Sequence, residues 1–138
     1  MATINLKGRE VPLLYTTYEM KQIQEEIAPL SRAMQLVLGR NPDDEKDLSG
    51  YMGAEHLKHA AALIRILGNA GLEEAGEAPD LTDKKIMRAL RPADMIEAIN
   101  ACMDAMTEGM ASEIPPKEDE GPVDVTLEDM KKKDGKAG

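Results

Sequence analysis

The chain has no tryptophan and no phenylalanine; three tyrosines are its whole aromatic content, 2% of 138 residues. A core usually anchored by large rings must here be filled by Leu, Ile, Val and Ala, together with ten methionines. Methionine is unbranched and polarizable, so it fills irregular gaps and leaves a core adaptable. Cysteine is nearly absent as well. Cys102 stands alone, which excludes an intrachain disulfide and fits a reducing compartment. Long apolar runs are missing: the longest, Ala60 to Leu67, is broken by Arg65 and falls far short of the ~20 residues a bilayer crossing needs. The opening MATINLKGRE has no apolar stretch, so no secretory leader is expected. Positive charge is also in short supply, with 17 Lys and Arg against 26 Asp and Glu and a net charge of −9. Such a surface repels phosphate backbones and anionic lipid, so neither nucleic acid nor membrane is expected as a partner.

Hydrophobic residues nevertheless make up 42%, enough for one modest core in a chain of this length. TINLKGREVPLL, from Thr3 to Leu14, alternates apolar and polar residues on both sides of Gly8. This is the pattern of a two-stranded hairpin with glycine at a turn position that needs φ > 0. Ile4, Leu6, Val11 and Leu13 are its apolar positions. They are expected to dock the hairpin on a helix or to meet a neighbour's edge, because a lone hairpin is marginal in water. Pro12 confines its strand to an edge.

Thr16 or Thr17 is the expected N-cap of a first helix through Met20, Ile23 and Ile27, ended by Pro29. A second run starts at Leu30 and closes at Gly39. The polar stretch from Arg40 to Gly53 reads as a loop. A third helix is predicted from about Ala54 to Ala70, with a stripe at Leu57, Ala60, Ala61, Ile64 and Leu67 and with Gly68 and Gly71 as its stop. Thr82 caps a short fourth helix, and Pro92 opens a long fifth, where its missing N–H costs nothing. Met95, Ile99, Cys102, Met103, Met106 and Met110 recur on that helix at helical spacing.

The composition changes after Ala111. Seven acids and one base lie between Glu113 and Asp129, with too few apolar groups to offset chain entropy. Residues 112–138 are therefore expected to be a disordered acidic tail that ends with Lys131 to Lys133. Within it VDVTLEDM, from Val123 to Met130, has the alternation of a short strand that pairs on a partner. The fold class is mainly α (α+β): an N-terminal β-hairpin packed on a small bundle of four to five helices over residues 1–111, followed by the tail.

Candidate chemistry is sparse. Glu55, His56 and His59 have metal-like spacing, yet HLKH lacks the glutamate and spacing of HExxH and no further His or Cys completes a site. Two partly exposed helix-surface histidines are the expectation. Asp43, Asp44, Glu45 and Asp47 lack the regular spacing and the glycine of a calcium loop. Cys102 sits on the apolar stripe, where a buried thiol is inert. No glycine-rich phosphate loop or Ser/His/Asp pattern is present. No catalytic, cofactor-binding or metal-binding residue is assigned, and a non-enzymatic protein is expected. Met103, Met106 and Met110 form instead a candidate protein-binding end, since methionine faces repack on varied apolar surfaces at low cost.

INLKGREVPLL, of the form I-x-L-x-G-R-x-V-x-L, leads directly into TTYEMKQIQEEI; small helices follow, then a proline-started last helix and an acidic tail. In this order of elements, residues 3 to 111 resemble the tail assembly chaperones of long-tailed (siphovirus-like) bacteriophages, in their short form. The resemblance implies a mainly helical protein of the host cytoplasm that is absent from the mature virion. It implies binding to the tape measure protein, which is kept soluble, and recruitment of tail tube protein during tail morphogenesis. It also implies homo-oligomers in some cases, and a longer form made by ribosomal frameshifting. An adenine-rich slippery run would fall at Met130 to Lys133. The alternatives are another morphogenesis protein, a head–tail connector or tail terminator that stays in the particle, and a small bacterial protein-binding adaptor.

Overall fold

The first fourteen residues build the predicted hairpin, in a computed structural model that describes residues 1–111. The expected disordered tail, with its strand-like Val123 to Met130, lies outside the described residues. Strands β1 (Thr3–Leu6) and β2 (Arg9–Pro12) pair antiparallel, with Ile4 opposite Val11 and Leu6 opposite Arg9. Lys7 and Gly8 form the two-residue turn at φ 53° and 86°, the left-handed geometry that matches strand twist. The Asn5 side chain secures it by accepting the Gly8 N–H at 2.8 Å. One residue beyond the strands, the Leu13 N–H donates to the Ala2 carbonyl at 2.9 Å. Bonded and non-bonded pairs alternate along such a ladder. Pro12 faces Thr3 at a non-bonded pair, so its missing N–H leaves no gap.

Five helices follow: α1 (Thr17–Glu26), α2 (Leu30–Val37), α3 (Ala54–Glu74), α4 (Asp83–Ala89) and α5 (Pro92–Met110). Thr16 is the cap of α1. Its N–H donates to the Glu19 carboxylate at 2.9 Å while its hydroxyl accepts the Tyr18 N–H at 3.3 Å, a capping box that closes two orphan backbone donors. Thr82 caps α4 by accepting the Lys85 N–H at 3.1 Å. Pro92 occupies the first turn of α5, and the Asp94 carboxylate returns to the Arg91 N–H.

Helix α3 is the centre of the molecule and touches α1, α2, α4, α5 and β2. Twelve of its 21 residues are buried, from His56 to Leu72. The predicted one-sided stripe is therefore too narrow: this is a core helix covered on most of its circumference. Its predicted stop is also wrong. The helix passes through Gly68 and Gly71 and runs to Glu74. The terminating glycine is Gly76, at φ 80°, where the Glu77 N–H reaches the Leu72 carbonyl and the Gly76 N–H the Glu73 carbonyl. That pair of bonds caps the orphan carbonyls of the last turn.

The two internal glycines have a packing role. A Cβ on Gly71 would lie 1.9 Å from the Pro12 carbonyl oxygen, so only glycine lets β2 lie against the α3 backbone. Beside it the Leu14 N–H donates to the Leu67 carbonyl at 3.1 Å. Sheet and helix are joined backbone to backbone, which is how a two-stranded hairpin gains the support it lacks alone. Arg65 ties the other side, reaching Asp83 at 2.7 Å and Glu26 at 2.8 Å.

The expected methionine-built core is corrected as well. Of the nine methionines in the described residues, only Met95 and Met106 are buried. The largest fully enclosed side chains are Leu13, Ile23, Leu63, Ile64, Leu67, Leu72, Ile86, Val11, Val37 and Cys102. Branched aliphatics fill the centre and methionine lies mostly around its margin. Branched side chains with few rotamers lose less entropy on burial than methionine does.

Candidate functional site

The hairpin residues offered as protein-binding positions are interior. Ile4 and Leu6 are each 7% exposed, Val11 0% and Leu13 1%. All four dock the hairpin on the chain's own helices, so none of them presents a surface to a partner. The methionine end divides. Met106 is buried with Met95, Ile99 and Cys102, whereas Met103 is half-buried at the core margin and Met110 is 63% exposed. The physical reason is the phase of the helix. At 100° per residue, Met106 falls within the arc of Met95, Ile99 and Cys102, while Met103 and Met110 fall on its flank.

Ile96 belongs to that flank and was not singled out from the sequence. It is 41% exposed and precedes Met103 by seven residues, as Met103 precedes Met110. Residues seven apart drift by only about 20° around a helix. Ile96, Met103 and Met110 thus form one partly exposed apolar seam along α5, roughly 21 Å long at 1.5 Å per residue. The seven-residue spacing was the available signal. It was obscured because buried and flanking methionines merge into a single periodic set.

At the last turn of α5 a depression of about 340 Å³ is lined by Met1, Tyr15, Glu108, Gly109 and Ala111, among others. Met1 is 71% exposed there. The chain passes close at this point: a Cβ on Gly109 would sit 2.2 Å from the Tyr15 carbonyl oxygen. The Tyr15 hydroxyl is buried without a hydrogen-bond partner among the described residues, and burial raises its pKa. A larger slot of about 430 Å³ lies between β1 and the α4–α5 corner, with Thr3, Asn5, Leu90, Asp94, Glu97 and Ala98 on its walls.

The histidines are not the expected surface pair. His56 is 5% exposed and both its ring nitrogens are engaged. The Met52 N–H donates to Nδ1 at 2.8 Å, so the proton resides on Nε2, which donates to the Val37 carbonyl at 2.9 Å. His56 thereby fastens the end of α2 and the Arg40–Gly53 loop to α3, and in this arrangement it has no lone pair for a metal. His59 is half-buried, and burial holds its pKa below the usual value although Glu55 lies 3.6 Å away. Among the described residues no group of three or more His, Cys, Asp or Glu is placed to hold a metal ion.

In the acidic loop, Asp47 organises the turn. It accepts the Ser49 hydroxyl at 2.7 Å, the Ser49 N–H at 2.9 Å and the Asn41 amide at 3.0 Å. Those bonds, Ser49's first, lower its pKa to about 2. Asp43, Asp44 and Glu45 are exposed; Asp43 accepts from the Arg32 guanidinium at 3.4 Å and Asp44 accepts the Lys46 N–H at 3.1 Å. Cys102 is fully buried, and burial pushes its thiol up to about 12, which leaves no thiolate for nucleophilic chemistry.

No helix among the described residues is long and apolar enough to cross a membrane. Comparison of the chain with protein-family models, with curated proteins and with solved structures returns no match.

Proposed function

We propose that this protein is a tail assembly chaperone of a long-tailed phage, a non-enzymatic holdase. In this reading it binds the tape measure protein, keeps it soluble and helps recruit tail tube subunits in the host cytoplasm, then leaves before the virion is complete. The observation that carries the proposal is the seam of Ile96, Met103 and Met110 along α5. Apolar residues at seven-residue spacing are what a second, amphipathic helix packs against. Methionine at two of the three positions lets one seam accept many successive stretches of a long helical client, because its side chain repacks at little cost. The net charge of −9 opposes self-association while the seam is empty. The order of hairpin, helices and proline-started last helix agrees with the family resemblance drawn from the sequence.

The test is co-expression with a tape measure fragment and measurement of the soluble fraction. Ile96→Asp with Met110→Asp, both at exposed positions, should abolish solubilisation while leaving the far-UV circular dichroism unchanged. Ile96→Leu with Met110→Leu should retain it. Equal behaviour of the two double variants would remove the seam from the proposal. Mass spectrometry of purified virions addresses the chief alternative, since a head–tail connector would be present in ring stoichiometry and a chaperone missing. A frameshifted longer form belongs to the same proposal; it requires a shiftable codon run at Met130 to Lys133 and an open minus-one frame beyond it.

A further inference from the structure

His56 holds two elements through its two ring nitrogens, and a proton treats them differently. Nε2 carries the hydrogen and donates to the Val37 carbonyl at 2.9 Å, while Nδ1 is bare and accepts the Met52 N–H at 2.8 Å. An imidazolium carries a hydrogen on both nitrogens. Protonation at Nδ1 therefore keeps the Val37 bond and sets one N–H against the N–H of Met52. The ring has little room to turn away. It is 5% exposed, and the Tyr51 ring lies against it with centroids 5.2 Å apart. On another side it abuts Gly39, where a Cβ would sit 2.8 Å from Nδ1.

The Met52 bond is also one of the few that hold the loop down. From Asn41 to Gly53 the loop is bonded chiefly to itself, through Asn41, Asp44, Asp47 and Ser49. Its bonds to the rest of the described residues are the Met52 N–H to His56, the Gly53 carbonyl to Leu57, where α3 begins, and the exposed pair of Arg32 with Asp43. Met52 itself sits at φ 62°, a left-handed backbone that a residue with a side chain keeps only where its surroundings hold it. Once the His56 contact is lost, that strain favours opening. We propose that His56 is a proton-operated latch: neutral, it pins the Arg40–Gly53 loop at the start of α3, and protonated, it releases the loop while staying bonded to α2.

The surrounding charges leave the decision to that bond. On α3 the neighbouring titratable groups are Glu55, Lys58 and His59. From the loop, Arg40 and Asp47 share with the ring a depression of about 260 Å³, to which α2 contributes only the apolar Leu36. Glu55 and Asp47 favour a positive ring, Arg40 and Lys58 oppose it, and His59 joins the opposition once it is itself protonated. The Asp47 carboxyl, lowered to about 2 by its bonds to Ser49 and Asn41, stays charged throughout the range in which histidine titrates. The turn it organises therefore persists, and the loop is released as a folded piece. No residue of the latch belongs to α5, so it stands or falls separately from the seam proposed above.

Amide hydrogen exchange at Met52 on the full chain tests the latch between about pH 8 and about pH 5, with the Leu63 amide of α3 as reference. The Met52 protection factor should fall about thirtyfold, the factor by which a free imidazole of ordinary pKa stabilises the open form at the lower pH. Leu63 should stay within about twofold. The loss should share its midpoint with the titration of the His56 ring, followed by nitrogen NMR in the same sample. His56→Asn keeps an oxygen near the place of Nδ1 and does not titrate, so its Met52 protection should be independent of pH. His59→Gln should leave the native response in place. Constant Met52 protection in the native chain would overturn the proposal, as would separate midpoints for ring and amide. A response that survives His56→Asn, or one that His59→Gln abolishes, would remove the switch from His56 and overturn it as well. The comparison of midpoints uses the native chain alone and decides the matter even where His56→Asn fails to fold.

Discussion

Substituting Gly71 by alanine sets two large effects against each other, and the geometry decides the sign. Alanine in a helix interior is favoured over glycine by about 1 kcal/mol, and α3 continues for three residues beyond this position, to Glu74, so the propensity gain applies. Against it stands the Cβ at 1.9 Å from the Pro12 carbonyl oxygen, 2.5 Å from its carbon and 3.1 Å from the Leu13 nitrogen. All three are backbone atoms and no rotamer relieves them. To restore ordinary contact β2 must retreat by about 1.5 Å, and gaps of this size forfeit half or more of the dispersion energy across them. Overpacking of this kind costs about 1–3 kcal/mol. Losing the Leu14 to Leu67 bond adds about 1 kcal/mol. The net expectation is destabilisation by about 1–3 kcal/mol, a fall in Tm of roughly 4–15 °C for a domain of this size. Thermal unfolding followed by far-UV circular dichroism measures it. The companion variant is Gly68→Ala, on the same helix, where the nearest atom is the Leu81 Cδ1 at 2.7 Å, the mobile end of a side chain. It should stay within about 1 kcal/mol of the parent, because Leu81 can turn aside. An unchanged or raised Tm for Gly71→Ala, or identical shifts for the two variants, would refute the seating of the hairpin on α3.

Three further outcomes follow from single contacts. His56→Ala leaves the Met52 N–H and the Val37 carbonyl without partners and opens a void beneath the Arg40–Gly53 loop; urea unfolding should show a loss of about 2–4 kcal/mol. The Asp47 carboxyl, with its pKa lowered to about 2 by Ser49 and Asn41, binds its proton more weakly folded than unfolded. Its contribution to stability is therefore complete above about pH 4 and disappears as pH falls toward 2. An acid titration followed at the Ser49 amide by NMR should have its midpoint near 2, and a midpoint near 4 would contradict the bonding described. Cys102, with its thiol pushed up to about 12 by burial, should resist a thiol-specific disulfide reagent at pH 8 in the native state and react at once in denaturant.

Helix starts were legible because capping is local chemistry. Thr16 with Glu19, Thr82, and Pro92 each announce a first turn within four residues, and the hairpin is written in the alternation about Gly8. Helix ends were less so. Gly68 and Gly71 have the composition of a stop, but their role is set by Val11 and Pro12, nearly sixty residues earlier in the chain. No window along α3 contains that information. The true stop, Gly76, looked like one more loop residue. His56 was misread for a similar reason, because its partners are the carbonyl of Val37 and the N–H of Met52. Backbone atoms carry no sequence signature.

The methionines show how one composition supports two architectures, and why the choice bears on function. A chain without Phe or Trp can fill its core with flexible methionine or bring its elements closer together. The second solution operates here. Ala60, Ala61, Ala62, Ala70, Gly68 and Gly71 are all buried on α3, and small side chains let neighbouring backbones approach closely enough for Leu, Ile and Val to close the remaining space. Methionine is thereby released to the margin, where Met103 and Met110 flank the buried arc of α5. A residue with high rotamer entropy is least costly where it is not immobilised, and most useful where it must fit more than one surface. The scarcity of aromatics and the adaptable seam on α5 are therefore linked: the small residues that make large rings unnecessary at the centre also leave methionine free for the surface.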